Sequence, residues 1–295
     1  MPGHDLIFNR SNPGKIRNTF GGVGRNIAEV AGRLGTNPYF ITSLGDDQAA
    51  QLTTSYLKDV GVEPFPIVTA NEVTGKYVHV MKKNGDLALG VADMHVNRFL
   101  TFDNIYDSFF RFHRLLPGTL VEVDSNVPAA ELSKLIPFLN EQKAIILYEG
   151  ISGMCTRILE SGCIDQISLL KINHIELGIF TPKLKETLKA SPPDNDYEFY
   201  MKQLFGMVGK RNNYANTVAP FRHLIVTHGE EGSDLHREEN GKHSFKTYPV
   251  LKCNVVKTNG AGDTMTGTLL SALARQKYSL DESMKIAICG TKFAV

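Results

Sequence analysis

The sequence has no tryptophan and only four cysteines among its 295 residues. The cysteines are Cys155, Cys163, Cys253 and Cys289, and no two of them form a C-x-x-C pair. That spacing offers no paired zinc ligands, and so few cysteines are typical of a reducing compartment. We therefore predict reduced, mostly buried thiols in a cytoplasmic protein.

Long apolar runs and an excess of one charge are also missing. No run reaches the roughly 20 apolar residues of a membrane-spanning helix, and the first residues lack a basic-then-apolar signal pattern. The 32 Lys and Arg residues balance 31 Asp and Glu residues, and the two signs are interspersed. We therefore expect neither a nucleic acid nor a membrane as a partner. The hydrophobic fraction of 42% is ordinary for a globular protein.

Several common nucleotide and hydrolase motifs are absent as well. The sequence contains no G-x-x-x-x-G-K-[ST] phosphate loop, no G-x-G-x-x-G after a predicted strand, and no G-x-S-x-G elbow. A Walker-type phosphate site is thereby excluded, and a dinucleotide site has no support.

The most informative stretch that is present runs from Asn259 to Asp263 and precedes a helical pattern. We predict a helix beginning near Asp263, with the backbone amides of Gly260, Ala261 and Gly262 forming an anion hole at its positive end. Asp263 itself would repel a phosphate, but it could take a proton from a hydroxyl group that attacks one. The alternative is an ordinary glycine turn with Asp263 as the helix N-cap.

A second glycine-rich stretch, Gly21 and Gly22, also precedes a helical pattern that Gly35 would end. This pair is either a plain loop or a hinge that holds Asn26, in the first turn, within reach of a ligand. Arg25 could contact a phosphate there or could be a solvated arginine at the start of a helix.

The rest of the chain alternates strand and helix patterns, which predicts a mostly parallel sheet flanked by helices. Strands are predicted at 39–44, 119–124, 144–148, 167–172 and 224–227. Helices are predicted from after Asp47 to Leu57, at 128–140 and near 197–209. Residues 73–91 differ, because Lys83 to Asp86 is a hairpin-turn signal that predicts a small antiparallel sheet. Residues 234–250 read as an antiparallel edge.

Polar clusters lie at the ends of several predicted strands: Asp124 and Asn126, Asn173 and Glu176, and Thr227 and Gly229. Ligands of open α/β sheets bind at the carboxyl ends of the strands, so we expect these residues to share one site with Asp263. Such a site suits phosphoryl transfer, which needs aligned reactants and charge neutralisation more than covalent chemistry. Asp263 would be the base, and Glu176 with Asn173 would hold Mg²⁺ through water.

Four motifs resemble those of the ribokinase-type (PfkB) carbohydrate and nucleoside kinases, in the family's order. They are Gly21-Gly22-x-Gly24-x-Asn26, Asn173-x-x-Glu176, Thr227-x-Gly229-x-x-Gly232 and Gly260-Ala261-Gly262-Asp263. Within the family, residues 12–16, 21–29 and 92–94 most resemble the pseudouridine kinases.

The resemblance implies a ribokinase-like α/β fold and an ATP- and Mg²⁺-dependent kinase that phosphorylates the 5′-hydroxyl of a ribosyl nucleoside, most of all pseudouridine. It also implies the site residues. The substrate-binding residues would be Gly21, Gly22, Asn26, Asp93 and Asn126. The ATP-binding residues would be Asn173, Thr227, Gly229 and Gly232. The alternatives are a kinase for ribose, adenosine or a similar substrate, and a non-catalytic kinase-fold binding protein.

The resemblance further predicts one kinase domain over residues 1–295, with lid segments near 11–20 and 67–98 and a homodimer formed through the lid. It leads us to expect that the chain lacks the family's first central strand and last helix, with Asp5 a poor match for the family's sugar-binding aspartate. Lys257 stands where relatives often have an aspartate of a monovalent-cation site, which predicts little activation by K⁺.

Overall fold

A computed structural model describes residues 9–12, 14–81, 87–188, 197–211, 222–239, 242–253 and 259–292. Asp5, the predicted turn at 83–86 and Lys257 lie outside the described residues.

The central sheet has six strands in the order β10-β9-β8-β7-β6-β5. Its parallel strands are β5 (Leu120–Asp124), β6 (Ile145–Glu149), β7 (Leu169–Asn173) and β8 (His223–Thr227). Two antiparallel strands, β9 (Ser233–Glu239) and β10 (Lys242–Tyr248), complete it. The predicted mostly parallel sheet and its antiparallel edge are therefore confirmed.

Two smaller sheets accompany it. Strands β1 (Tyr39–Gly45) and β2 (Glu63–Thr69) pair in parallel, and β3 (Lys76–Met81) and β4 (Leu87–Asp93) pair antiparallel. The small antiparallel sheet was predicted, whereas β2 was missed. Pro64 and Pro66 lie within β2 and obscure its strand pattern, because proline cannot donate a ladder hydrogen bond.

Nine helices lie within the described residues. They are α1 (Val23–Arg33), α2 (Gln48–Asp59), α3 (Phe102–Ile105), α4 (Ala129–Glu141), α5 (Arg157–Glu160), α6 (His174–Leu188), α7 (Tyr197–Met207), α8 (Ala261–Ala274) and α9 (Leu280–Thr291). None of these helices is long and apolar enough to cross a membrane. The strand-helix alternation through residues 120–227 makes the parallel strands neighbours and leaves their carboxyl ends at one edge.

Helices cover both faces of the central sheet. Successive strand residues point to opposite faces, so Ile146 and Leu170 join a core with α4, α6 and α7. Leu147 and Leu169 join a second core with α8 and α9. Cys155 and Cys163 are buried, Cys253 is partly buried and Cys289 is exposed, so two of the four thiols are buried rather than most of them.

Helix α8 also packs against α1, and the two backbones approach closely at Gly267. A Cβ atom at Gly267 would lie 2.7 Å from the carbonyl oxygen of Ile27. Only glycine permits this approach. The crossing joins a helix from the start of the chain to one near its end, and both helices begin at the carboxyl edge of the sheet.

Candidate active site

The two helix starts that the glycine-rich stretches predicted are present. Gly22 is the N-cap of α1 with φ 97°, and Gly260 is the N-cap of α8 with φ 86°; neither cap uses a side chain. The first amides of a helix lack partners within it, so both ends can receive an anion. Helix α8 begins at Ala261, and Asp263 is its third residue. The alternative that made Asp263 the N-cap is therefore wrong. The N-cap is Gly260, and its left-handed conformation is one that glycine adopts without strain.

Asn26 and Asp263 meet at these helix starts. The Nδ2 of Asn26 donates a hydrogen bond of 2.6 Å to Oδ2 of Asp263. Burial raises the pKa of Asp263 above its usual range, while the Asn26 hydrogen bond and the positive charges of Lys171 and Arg25 act in the opposite direction. The carboxylate is thus removed from bulk water but supported in its charged form, an arrangement that suits a general base.

Asp124, at the end of β5, connects α1 to the neighbouring turn. Its Oδ2 accepts a 3.2 Å hydrogen bond from the amide of Gly24 and one of 2.9 Å from Nδ2 of Asn126. Asn126 also accepts, through its Oδ1, a hydrogen bond of 3.0 Å from Nδ2 of Asn97. Burial raises the pKa of Asp124, and its hydrogen bonds oppose that rise. The two polar residues predicted at the end of this strand, Asp124 and Asn126, are thus hydrogen-bonded to each other.

A buried ion pair beneath the α8 terminus was not predicted. Nζ of Lys171 lies 2.5 Å from Oε1 of Glu149, and both residues are at most 4% exposed. The hydroxyl of Thr266 donates to Oε2 of Glu149 at 2.9 Å and also lies 3.2 Å from the carbonyl oxygen of Gly262. The pair therefore connects two central strands to the first turn of α8. Lys171, a charge within an apolar strand, was the available signal.

Glu122 adds a second buried carboxyl group that sequence reasoning missed. It lies two residues before Asp124 on β5, so both side chains share one face of the sheet. Its Oε1 is buried and has no hydrogen-bond partner among the described residues. Burial, together with the charges of Asp124 and Glu149, holds the pKa of Glu122 well above its usual range.

Asn173 and Glu176 form a reciprocal cap at the start of α6. Oδ1 of Asn173 accepts from the amide of Glu176 at 2.8 Å, and Oε2 of Glu176 accepts from the amide of Asn173 at 2.9 Å. Oε1 of Glu176 accepts from the amide of Ser152 at 2.8 Å. Each carboxylate oxygen keeps a further lone pair, so the residue fits a water-mediated metal contact better than direct bidentate binding. Within the described part of the chain, no group of three His, Cys, Asp or Glu residues could hold a metal ion.

The other predicted residues divide between two places. Thr227 ends β8 opposite Asn173 of β7, and Gly229 and Gly232 flank the short turn that follows. These residues therefore share the carboxyl edge with Asn173. Asp93 lies on another sheet, at the end of β4, with its side chain exposed.

Comparison with known proteins identifies the family of this chain. The model of the pfkB family of carbohydrate kinases matches residues 5–290. The chain belongs to the PfkB family. The resemblance predicted from the four motifs is therefore confirmed, and so is the prediction of a phosphotransferase. This PfkB chain is a sugar or nucleoside kinase.

Three curated relatives of this PfkB chain carry two different enzyme names, pseudouridine kinase and ribokinase. Pseudouridine kinase of Escherichia coli (strain K12) is 26% identical over 90% of this chain and 77% of its own length. Pseudouridine kinase of Arabidopsis thaliana is 29% identical over 96% of this chain and 83% of its own length. Ribokinase of Dictyostelium discoideum is 28% identical, with coverages of 92% and 82%.

Solved structures confirm the ribokinase-like fold. Ribokinase from Thermotoga maritima matches with a TM-score of 0.73 and 17% identity, over 99% of this chain and 87% of that one. Aminoimidazole riboside kinase from Salmonella enterica, solved with aminoimidazole riboside and an ATP analog, matches with a TM-score of 0.67 and 20% identity. The match covers 93% of this chain and 85% of that one.

Proposed function

We propose that this PfkB protein transfers the γ-phosphoryl group of ATP to the 5′-hydroxyl of a ribosyl nucleoside, with pseudouridine as the substrate. The hydrogen bond of 2.6 Å between Asn26 and Asp263 carries the proposal. It joins the two predicted signatures at the start of two helices. The two pseudouridine kinases among the relatives, 26% and 29% identical to this chain, favour pseudouridine as the acceptor.

The proposed reaction uses Asp263 as the base. Asp263 takes the proton of the 5′-hydroxyl as that oxygen bonds to the γ-phosphorus of ATP, and the bond from this phosphorus to the β-γ bridging oxygen breaks. ADP and the nucleoside 5′-phosphate are the products. The backbone amides of Gly260, Ala261 and Gly262 at the positive end of α8 stabilise the charge on the transferred group. Gly21, Gly22, Asn26, Asp93 and Asn126 are proposed to contact the nucleoside.

The remaining predicted residues are assigned to the nucleotide and its metal. Asn173, Thr227, Gly229 and Gly232 are proposed to bind ATP. Glu176 would hold Mg²⁺ through a water molecule, because each of its oxygens already accepts one backbone amide. When bound, Mg²⁺ neutralises phosphate charge.

We also propose that the β3–β4 sheet is a lid over the substrate and the contact between two copies of the chain. Val78, Leu89 and Val91 of this sheet are each more than half exposed. Covering them with a second lid would remove this apolar surface from water. Light scattering during size-exclusion chromatography should give twice the monomer mass of 32.6 kDa. A monomer at micromolar concentration would contradict the lid contact.

The activity is tested by supplying ATP and Mg²⁺ with pseudouridine, uridine, adenosine or ribose and measuring ADP. We expect the highest kcat/KM with pseudouridine. Asp263→Asn should lower kcat by about 10² to 10⁴, the usual contribution of a general base. ATP binding by Asp263→Asn, measured by calorimetry, should remain close to that of the wild type.

Each outcome decides a different part of the proposal. Turnover that is fastest with ribose or adenosine would replace the substrate and leave the reaction in place. No ADP from any acceptor would refute the kinase activity. Full activity of Asp263→Asn would refute the role of Asp263, and the same variant with abolished ATP binding would be uninformative about the base unless its fold is verified by circular dichroism.

A further inference from the structure

Arg25 is neither a solvated arginine nor an open phosphate ligand. It is 8% exposed, and its Nε donates to the carbonyl oxygen of Gly21 at 2.9 Å. Its Nη1 lies 2.5 Å from Oε2 of Glu29, and its Nη2 donates to the carbonyl oxygen of Phe20 and to Oδ1 of Asn26. The guanidinium group therefore connects the glycine loop, the body of α1 and the side chain that contacts Asp263.

The support behind Arg25 extends to α2. Oε1 of Glu29 accepts from the hydroxyl of Tyr56 at 2.5 Å and from Nε of Arg33 at 2.8 Å. The ring of Tyr56 stacks on that of Phe20 with centroids 4.4 Å apart. These contacts hold Glu29 in place, and Glu29 in turn holds Arg25 by a charge-assisted hydrogen bond.

The chemistry of the three groups allows one orientation of the Asn26 amide. Arginine has only donors, so it must face Oδ1 of Asn26. An ionised carboxylate has only acceptors, so Asp263 must face Nδ2. A rotation of the amide by 180° would place two donors together on one side and two acceptors together on the other. Arg25 thus excludes the orientation in which Asn26 repels Asp263.

We propose that Arg25 is a positioning residue that acts through Asn26: it orients the Asn26 amide so that this amide donates to Asp263 and stabilises the carboxylate as the base. The inference rests on the proposed function. It adds a residue that was not among the proposed substrate-binding and ATP-binding residues. It also places four side chains in one chain of hydrogen bonds that leads to the base: Glu29, Arg25, Asn26 and Asp263.

Other charges also act on Asp263, and the test must separate them from the amide. Asn26 and Arg25 face it from α1, Asp124 from β5 and Lys171 from β7. Further carboxyl groups that interact with it are Glu122 of β5 and Glu149 of β6. Removal of Arg25 would thus change Asp263 both through a lost charge and through a freed amide. A double-mutant cycle with Asn26 distinguishes the two effects.

The experiment measures the pKa of the Asp263 carboxyl group by NMR of protein labelled with ¹³C-aspartate, with Asp263→Asn identifying the signal. Arg25→Met should raise this pKa by about 1 unit in the wild-type background, as expected for loss of a hydrogen bond to a charged group. In an Asn26→Ala background the same change should shift it by less than about 0.3 unit. The acid limb of the kcat/KM profile should move to higher pH in parallel with the first shift.

Two further variants serve as controls. Arg33→Met removes the other arginine on Glu29 but does not touch Asn26, so the pKa of Asp263 should stay at its wild-type value. Arg25→Lys keeps the charge but loses the forked donor, and it should raise the pKa in the same direction by less than Arg25→Met does. Arg25→Lys also provides the answer should Arg25→Met fail to fold.

Equal shifts in both backgrounds would show that Arg25 acts by charge alone and would overturn the inference. A wild-type pKa in Arg25→Lys, or in Arg25→Met, would also overturn it. The NMR titration needs no substrate, so these failures are distinguishable from failure of the proposed function, which would appear as absent turnover in the wild-type enzyme.

Discussion

Replacing Lys171 by methionine leaves the carboxyl group of Glu149 buried without the ammonium group that now lies 2.5 Å away. Burial raises the pKa of Glu149 to about 7, and Lys171 and the Thr266 hydroxyl keep it from rising further. In Lys171→Met the pKa of Glu149 therefore rises beyond its wild-type value. The folded variant then holds one proton more than the folded wild type in the interval above pH 7.

The expected loss of unfolding free energy in Lys171→Met has two parts. Removing one partner of a buried ion pair costs about 3–5 kcal/mol of unfolding free energy. A carboxyl group whose folded pKa is raised stabilises the fold fully below its unfolded pKa and loses that contribution as pH rises through its folded pKa. The pH-dependent part is a further loss of about 1.4 kcal/mol of unfolding free energy, relative to the wild type, for each pH unit above 7. This loss continues up to the pKa that Glu149 has in Lys171→Met.

Urea unfolding of both proteins at pH 6, 7 and 8 measures this difference. The matched control is Lys171→Met with Glu149→Gln, in which the amide oxygen can still accept from Thr266 and no charge is buried. We expect the double variant to recover most of the stability and to show no added pH dependence. An equal loss for Lys171→Met at all three pH values, or a double variant as unstable as the single one, would refute the reasoning.

Two further predictions concern the helix crossing and the β9–β10 edge. Gly267→Ala should lower the unfolding free energy by about 1–3 kcal/mol, because the added Cβ would meet the backbone of α1. In the control Gly178→Ala, on α6, the added Cβ meets nothing within 4 Å, so no such loss is expected. Equal urea midpoints for the two variants would contradict this. Burial and the charge of His243 lower the pKa of His236 to about 4. His236 should therefore contribute a loss of up to about 1.4 kcal/mol of unfolding free energy per pH unit as pH falls from about 6.5 to that value. In urea unfolding, His236→Phe should lose correspondingly less stability than the wild type over this interval; parallel losses would contradict the assignment to His236.

Local patterns were enough to predict most of the secondary structure. Apolar spacing and the Gly35 stop predicted α1, and buried apolar runs predicted β5 to β8. Strand β2 was missed because its two prolines break the usual pattern, and it is stabilised by parallel pairing with β1. Its existence depends on a partner, which local propensity does not represent.

The candidate site was predicted less completely than the fold. Motifs named Asn26 and Asp263 separately, but they did not show that the two side chains share a hydrogen bond. Glu149 and Lys171 become neighbours only through the register of β6 against β7. Glu122 gives no signal in a strand until the face of that strand is known. Each of these contacts depends on strand order and long-range packing.

The pairing of Asn26 with Asp263 also determines when the site can form during synthesis, because the two residues are 237 positions apart. At about 5–20 residues per second, Asp263 is added about 12–47 s after Asn26. For that interval Ile27 and the rest of the α1 face lack α8, their later partner. The apolar face of α1 therefore stays without α8 until Asp263 and α8 have left the ribosome, and chaperones or transient contacts must cover it until then.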